Sequence, residues 1–376
     1  MSTSRAVLVV GGGTTGNALA VLLRRAGVAV DLVESKQDWD ATAGSGITLQ
    51  GNALRVLREV GVWGDLRAQG YSFDSLGIRA PDGSLLHVGD DLRTGGPELP
   101  ATLGTDRAQL QRLLIDRVRG AGVEVRLATT ITSLQQHPDQ VEAAFSDGTG
   151  GHYDLVVGAD GLHSRTRELI GIPDRPAPTG MDIWRAAVPR PPEVTRTEII
   201  YGGRCCIAGY CPTGQRSMYA YLVERTRDGK NLPRSSYAAE MRSLAEGYGG
   251  PWRGVRAALA DSAQVNRTRF DHMLIAGPWH RGRVVLAGDA AHCCPPTLAQ
   301  GAAMSLEDAS VLAELLTTRN AWDEPLLAEY QQRRSRRVRP VVEASVQITK
   351  KLLAGADGAA IPEIMEPAMS GLQEAP

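Results

Sequence analysis

Short continuous apolar runs alternate along this chain with segments whose apolar positions recur every three or four residues. Ala6-Val-Leu-Val-Val10 is the first run, short enough for a strand buried on both faces of a parallel sheet. Asn17 to Ala26 follows as a helix that Gly27 ends, and Val28 to Val33 is the second strand. Residues 44 to 49 read as a strand, and Asn52 to Val60 carries apolar residues at helical spacing. Thr105-Asp106-Arg107 starts another helix, with Leu110, Leu113, Leu114 and Val118 on one face. Val123 to Leu127, the run from Tyr153 to Asp160-Gly161, and Val284 to Ala287 complete the apolar strands. Strand and helix in alternation predict an α/β fold around a parallel sheet.

The pattern changes from about 70 to 100 and from 175 to 275, where strand-like alternation and proline-rich turns take over. The second stretch predicts a sheet with strands at 182–188, 198–202, 204–211 and 217–223, and a helix at 236–248. After Asp308 a long helix continues to about 317, and a helix pair is expected from Pro325 to about Leu353. The last twenty residues, rich in Ala, Gly, Pro and Glu, read as frayed.

Three strand ends carry chemistry. Gly11-Gly12-Gly13-Thr14-Thr15-Gly16 matches G-x-G-x-x-G where the first strand meets its helix. Gly11 suits a tight turn, Gly13 lets a pyrophosphate approach the backbone, and Gly16 lets helix pack on strand. Glu34 ends the second strand, where a carboxylate takes a ribose hydroxyl. The second motif is Asp160-Gly161, followed by a helix start that Ser164 can cap. The third runs from Gly288-Asp289 through Pro295-Pro296-Thr297 to Gly301, which opens a helix whose first amides, at Ala302 and Ala303, point back over the loop. Such a helix start suits an anion or an electron-rich ring, and Asp289 can accept hydrogen bonds from a polyol.

The order and spacing of these motifs resemble the single-component FAD-dependent aromatic hydroxylases, the para-hydroxybenzoate hydroxylase family, over roughly residues 5 to 350. The resemblance implies a Rossmann-like FAD-binding domain made of 1–70, 101–174 and 276–320, an inserted substrate-side sheet domain of 71–100 and 175–275, and C-terminal helices and tail from 321 to 376. It implies FAD at Gly11, Gly13, Thr15, Gly16, Glu34, Asp160, Gly288, Asp289, Pro296, Gly301, Ala302 and Ala303. Lys36 stands where many members carry an arginine near the adenosine. Arg107 matches an arginine that reaches the ribityl and phosphate region, and Thr130-Ile131 would pass the adenine by backbone contact. NAD(P)H would be a transient co-substrate, and a C4a-hydroperoxyflavin would hydroxylate an aromatic or electron-rich ring. The peroxide would form near Pro295, Pro296 and Thr297.

Candidate substrate-pocket residues are Trp184, Tyr201, Cys205, Ile207, Tyr219 and Tyr221, although strand side chains alternate and half of such a set faces away. Ile207 stands where several members hold a histidine base, so no side-chain base is evident. Two departures from the family pattern stand out. Ala299 replaces a loop glycine, which implies a loop without positive φ there, and Ala303 replaces an asparagine.

Composition agrees and excludes other classes. Hydrophobic content of 43% and charged content of 22% describe a globular protein, and its 376 residues exceed a single core. A net charge of −1 carries no nucleic-acid signature. The run Arg333-Arg334-Ser-Arg336-Arg337 therefore reads as a solvated helix face. With no apolar run near ~18 residues, no membrane span is expected, and the cytoplasm is the expected compartment. Five cysteines without a C-x-x-C pair predict free thiols and no metal site. The expected partners are a small aromatic substrate and O2, with the protein a monomer or homodimer. The competing readings are an NAD-dependent dehydrogenase or non-catalytic dinucleotide-binding protein, which needs only the first fingerprint, and a flavin-dependent halogenase, whose Trp-x-Trp-x-Ile-Pro segment is lacking here.

Overall fold

The computed structural model describes residues 5–40, 45–227, 232–259, 264–356 and 358–376; Gly44 of the expected strand lies outside them. Ala6–Val10 sits inside a six-stranded sheet, parallel to Ala29–Val33 on one side and Leu155–Gly158 on the other. Glu124–Arg126 extends one side in parallel, and Val284–Leu286 the other, where the short antiparallel strand His280–Arg281 ends the sheet. The apolar runs became these strands because both faces are covered: Val7, Leu8, Leu155 and Val285 have no exposed surface. Helices Thr14–Arg25, Arg107–Gly120 and Gly301–Thr318 pack together, the first touching both others.

Three adjacent parallel strands end at Val10, Gly158 and Leu286, so their carboxyl ends share one edge of the sheet. The three motifs of the sequence, 150 and 130 residues apart in round terms, meet at that edge by topology alone. Ligands of open α/β sheets bind in this position.

A second sheet has eight strands in the order His292–Cys293, Val265–Leu274, Ala177–Pro189, Ser217–Arg225, Ile207–Pro212, Thr197–Tyr201, Ser75–Arg79 and Leu85–Asp90. One of its faces buries a separate core around Trp184, Tyr210, Tyr248 and Trp252. Its other face is turned to the cavity described below. The strand expected from Arg204 starts only at Ile207, because Gly202 and Gly203 both take positive φ in the turn before it.

Two expectations for the C-terminal region are corrected. Glu324–Leu353 is one helix of 30 residues with Pro340 inside it, rather than a pair. Buried Val338, Val341, Val342 and Ser345 hold it to the body on both sides of the proline. The last twenty residues are not frayed: Ile361–Ser370 is a helix that packs on the long one and buries Ile361, Ala368 and Met369. Pro362 opens this helix instead of breaking it, because the N–H it lacks would be unpaired in the first turn anyway.

Candidate active site

A continuous cavity of about 1750 Å3 runs from the sheet edge to the cavity face of the eight-stranded sheet. A pocket for one drug-sized molecule is ~300–1,000 Å3. This one has room for a dinucleotide and a further ring.

At its sheet-edge end the glycines of the fingerprint divide their work. Gly11 has φ +107°, and a Cβ there would lie 2.4 Å from the Ala159 carbonyl oxygen. A Cβ on Gly16 would lie 1.9 Å from the Gly11 carbonyl oxygen, so the helix can come this close only with glycine. Gly13 is different, since nothing in the protein approaches its Cβ position within 4 Å and it lines the cavity with Thr14 and Thr15. As N-cap of its helix it brings no capping side chain, leaving the first amides for a ligand anion.

Glu34 and Lys36 line the same end. Glu34 accepts the Gly12 N–H at 2.8 Å and the Lys36 N–H at 2.9 Å, which fixes the carboxylate at the wall. The Gly12 carbonyl accepts three side-chain N–H groups, from Trp39 and Gln111 at 2.8 Å and from Asn17 at 2.9 Å. The sequence reasoning missed Trp39 and Gln111, which lie far from the fingerprint along the chain and carry no motif. Thr130-Ile131 was expected to pass an adenine by backbone contact; the Ile131 side chain is buried in the core, and neither residue is among those that line the cavity. Ala128 and Thr129 instead donate to the Lys36 and Glu34 carbonyls.

Asp160 also turns away. Its carboxylate accepts the Thr166 N–H and hydroxyl at 2.8 and 2.9 Å and the Ser164 hydroxyl at 2.5 Å, so it builds the turn while Ala159, Gly161 and Leu162 form the wall. Ser164 caps its helix as expected, accepting the Arg167 N–H.

In the middle of the cavity, Gly288 takes φ +63° and donates its N–H to Asp308 at 2.7 Å. A Cβ on Gly288 would lie 2.3 Å from the Thr15 hydroxyl oxygen, which ties this loop to the fingerprint helix. Asp289 then faces the cavity, as does Arg107 from the start of its helix. Enclosure by the cavity walls pushes the Asp289 carboxyl above the usual range although the residue is exposed to the cavity, against the pull of His292, Arg107 and the Ser305 hydroxyl. His292 pairs with Asp308 at 2.7 Å rather than with the cysteines beside it. Among the described residues no His, Cys, Asp or Glu cluster is placed to hold a metal ion.

Asp308 in turn pairs with Arg334 at 2.6 Å, and Arg334 with Glu307 at 2.7 Å, all three without side-chain exposure. Arg337 adds a second partner for Glu307 at 2.7 Å. The arginine run is thus a solvated face only in part: Arg336 and Arg339 are exposed, whereas Arg334 and Arg337 turn inward. Its partners lie 26 to 30 residues upstream on the neighbouring helix, outside the range of local charge patterning.

The loop Pro296–Leu298 is a single 3-10 turn, and Ala299 after it has φ +53°. This corrects the expectation of a loop without positive φ. The chain must reverse before Gly301 opens its helix, while Gln300 is held inside by Asn52 at 3.0 Å and by Gln50, so the left-handed residue is forced despite its methyl group. Pro296, Thr297, Ala299, Gly301 and Ala302 line the cavity; Ala303 is buried behind them.

Strand register sets the far wall. Ile183, Val223, Ile207 and Tyr201 form one cross-strand row, and Arg185, Tyr221, Gly209 and Ile199 form the next. All but Gly209 line the cavity, where the Tyr221 ring covers the glycine. Tyr219 belongs to a third row and hydrogen-bonds Thr48 at 2.7 Å. Trp184 is corrected: it lies on the opposite face, where its Nε1–H donates to Glu224 at 2.8 Å. Its neighbour Arg185 is the wall residue, with a hydrogen bond to Thr268 at 3.1 Å. Cys205 is corrected as well, since it precedes the strand and packs in the far core under Tyr248. Burial pushes the Tyr201 hydroxyl up to about 12 and Tyr221 well above its ordinary value.

The FAD binding domain family matches residues 4–345. The chain belongs to this family. It is an FAD-dependent monooxygenase of the aromatic-hydroxylase type. The hydroxylase is 32% identical over 349 residues to 3-amino-4-hydroxybenzoate 2-monooxygenase PtmB3 of Streptomyces platensis, covering 89% of this chain and 85% of that one. It is 32% identical over 317 residues to 2-heptyl-3-hydroxy-4(1H)-quinolone synthase of Pseudomonas aeruginosa, covering 82% and 80%. Its fold matches HpxO of Klebsiella pneumoniae, solved with FAD and uric acid, with TM-score 0.84 and 22% identity over 99% of this chain and 94% of that one. A family match running from the fingerprint past Gly301 is more than the dehydrogenase reading uses. Among the described residues of the hydroxylase, no helix is long and apolar enough to cross a membrane.

The residues fit the cofactor. Open space over Gly13, unspent amides at two helix starts and two wall carboxylates are what a pyrophosphate, a flavin edge and two polyols need. Glu34→Ala in the hydroxylase should weaken FAD by about one to two decades, the worth of a charged hydrogen bond. Fluorescence titration of flavin-free protein measures this, and an unchanged dissociation constant would take Glu34 out of the site. The same flavin-free protein should bind neither NADH nor NADPH tightly, since the sequence holds a single G-x-G-x-x-G.

Proposed function

We propose that this monooxygenase hydroxylates a small ring already made electron-rich by its own substituents, such as an aminophenol or a hydroxyquinoline. The observation that carries the reading is the centre of the far wall, where Ile207 stands between Val223 and Tyr201. The phenols nearest it are held far above neutrality by burial. His87, the histidine that lines the cavity among the described residues, sits on the exposed edge strand Leu85–Asp90. A positioned base near neutral pKa is typically worth 10²–10⁴-fold. Without one, activation falls to the substrate. Of the two named relatives, one is a 3-amino-4-hydroxybenzoate monooxygenase and the other a synthase of a 3-hydroxy-4-quinolone, and both names contain rings of that kind.

In this reading the Gly13 to Thr15 amides hold the pyrophosphate, Glu34 and Lys36 the adenosine end, and Asp289 with Arg107 the ribityl chain. The amides of Gly301 and Ala302 face the flavin edge. Bound FAD supplies hydride acceptance from NAD(P)H and the activation of O2. The protein orients the ring against the Pro296-Thr297 turn, and the apolar row beside it excludes water from the reacting atoms. The Tyr201 and Tyr221 hydroxyls, without hydrogen-bond partners among the described residues, are free to donate to an oxygen on the ring. A cytoplasmic setting suits an enzyme that draws on NAD(P)H.

The test is the pH profile of the hydroxylation step, measured by stopped flow for substrates of graded pKa. The apparent pKa should move with the substrate. One fixed value near neutrality for all of them would reveal an enzyme base and overturn the reading.

A further inference from the structure

Four large apolar side chains of the described residues are exposed beyond a third: Leu85, Leu86, Val88 and Met365. Three lie on the edge strand Leu85–Asp90 and one on the helix Ile361–Ser370. Leu86, 65% exposed, and Met365, 37% exposed, both line the cavity. Scattered apolar residues on a surface need no explanation, but apolar residues open to water at a cavity mouth mark a surface made for an apolar ligand.

The far wall leads to them. The row Ile183, Val223, Ile207 and Tyr201 crosses four strands, and the pairing of Ile200 with Arg79 carries it on to Ala80, which also lines the cavity. Above the end of this row stands the 3-10 turn Gly358–Ala360 that leads into the C-terminal helix, so close that a Cβ on Gly358 would lie 2.2 Å from the Tyr201 ring. From there Ile361, Met365 and Met369 follow at four-residue steps on one helix face, and all three line the cavity. Methionine is unbranched and adapts to partners of varied shape. Arg79 on this stretch is already committed to Glu198 and the Gly83 carbonyl, so it offers no charge to a ligand here.

We propose that the substrate carries an apolar arm, an alkyl chain or a second hydrocarbon ring, lying over Ile207 and Tyr201 beneath this helix and leaving the protein between Leu86 and Met365. The proposal rests on the electron-rich-ring reading above and extends it to substrate size. A second copy of the chain seated on the edge strand would cover Leu85 and Val88 but leave the inner lane unfilled.

The probes are 4-hydroxyquinolines with 2-alkyl chains from methyl to nonyl. Both KM and the dissociation constant, read from the change in flavin absorbance, should fall by about four-fold per methylene over the first several carbons, the fold-change that corresponds to ~0.8 kcal/mol. Both should level off where the chain meets water. Met365→Asp and Leu86→Asp should each flatten this slope, with FAD content confirming that the variants are folded. Turnover that ignores chain length sinks the arm and keeps the ring reading. A binding slope without turnover sinks the ring reading and keeps the arm. A dimer that Leu86→Asp dissociates while the slope persists would assign the patch to a second copy and overturn the exit route.

Discussion

Arg334→Met should destabilise the protein by about 3–5 kcal/mol, the usual result of removing one partner from a buried ion pair. Arg334 has no exposed surface and neutralises Glu307 and Asp308 together. With His292 beside Asp308 and Arg337 beside Glu307, its charge helps to hold both carboxyls below their usual range against burial, Asp308 at about 2. A carboxyl depressed in the folded state stabilises it at pH values above its unfolded pKa, and the gain is lost as pH falls through the folded value. In the wild type that contribution therefore lasts to strongly acidic pH. In Arg334→Met the two carboxyls are left buried with less positive charge, and taking up a proton relieves them. The deficit in urea midpoint should then be larger at pH 8 than at pH 5, with the slope of the transition unchanged. A midpoint within experimental error of wild type at pH 8 would show that the cluster is neutral in the fold. FAD should also bind more weakly, because Asp308 holds the Gly288 N–H and His292 on either side of Asp289.

Asp289→Ala should leave a folded protein that binds FAD one to two decades more weakly, from the ~1.5–3 kcal/mol of a hydrogen bond to a charged acceptor. Asp289→Asn, which keeps an acceptor oxygen without the charge, should fall between the two. Asp289 is suited to this test because its carboxylate points into the cavity, whereas the neighbouring Asp308 carboxylate is spent on structure. Equilibrium dialysis of flavin against the apoprotein gives the constants. If both variants retain the wild-type value, the ribityl chain lies elsewhere.

Local chemistry was legible in the sequence and long-range choice was not. Gly11, Gly13 and Gly16 were readable because a tight turn at a strand end needs those residue types within a few positions of one another, and Glu34 and Asp289 because each follows the end of its own apolar strand. Asp160 was found as a motif, but which way its carboxylate turns depends on Ser164 and Thr166 closing around it. On the far wall, alternation promised that half of the candidates would face the cavity. Choosing Arg185 over Trp184 required the register, and excluding Cys205 required knowing that two glycines delay the strand to Ile207. Ala299 misled because glycine is the cheaper residue at positive φ rather than an obligatory one, and the surrounding Gln50, Asn52 and Gln300 contacts outweigh a methyl group. The buried partners of Arg334 and the helix started by Pro362 were hidden for the same reason: composition describes a surface or a tail until tertiary contacts claim it.

That no wall divides the cavity between Gly13 and Tyr201 has a thermodynamic consequence. A flavin lodged by Asp289 becomes part of the lining against which the reacting ring rests, so the two ligands are linked. Whatever factor FAD contributes to substrate affinity, substrate must return to FAD affinity, because the two binding orders close a cycle. A substrate that binds ten times better to the loaded protein therefore makes flavin ten times harder to wash out, and cells rich in substrate would retain more of the enzyme in its coloured form.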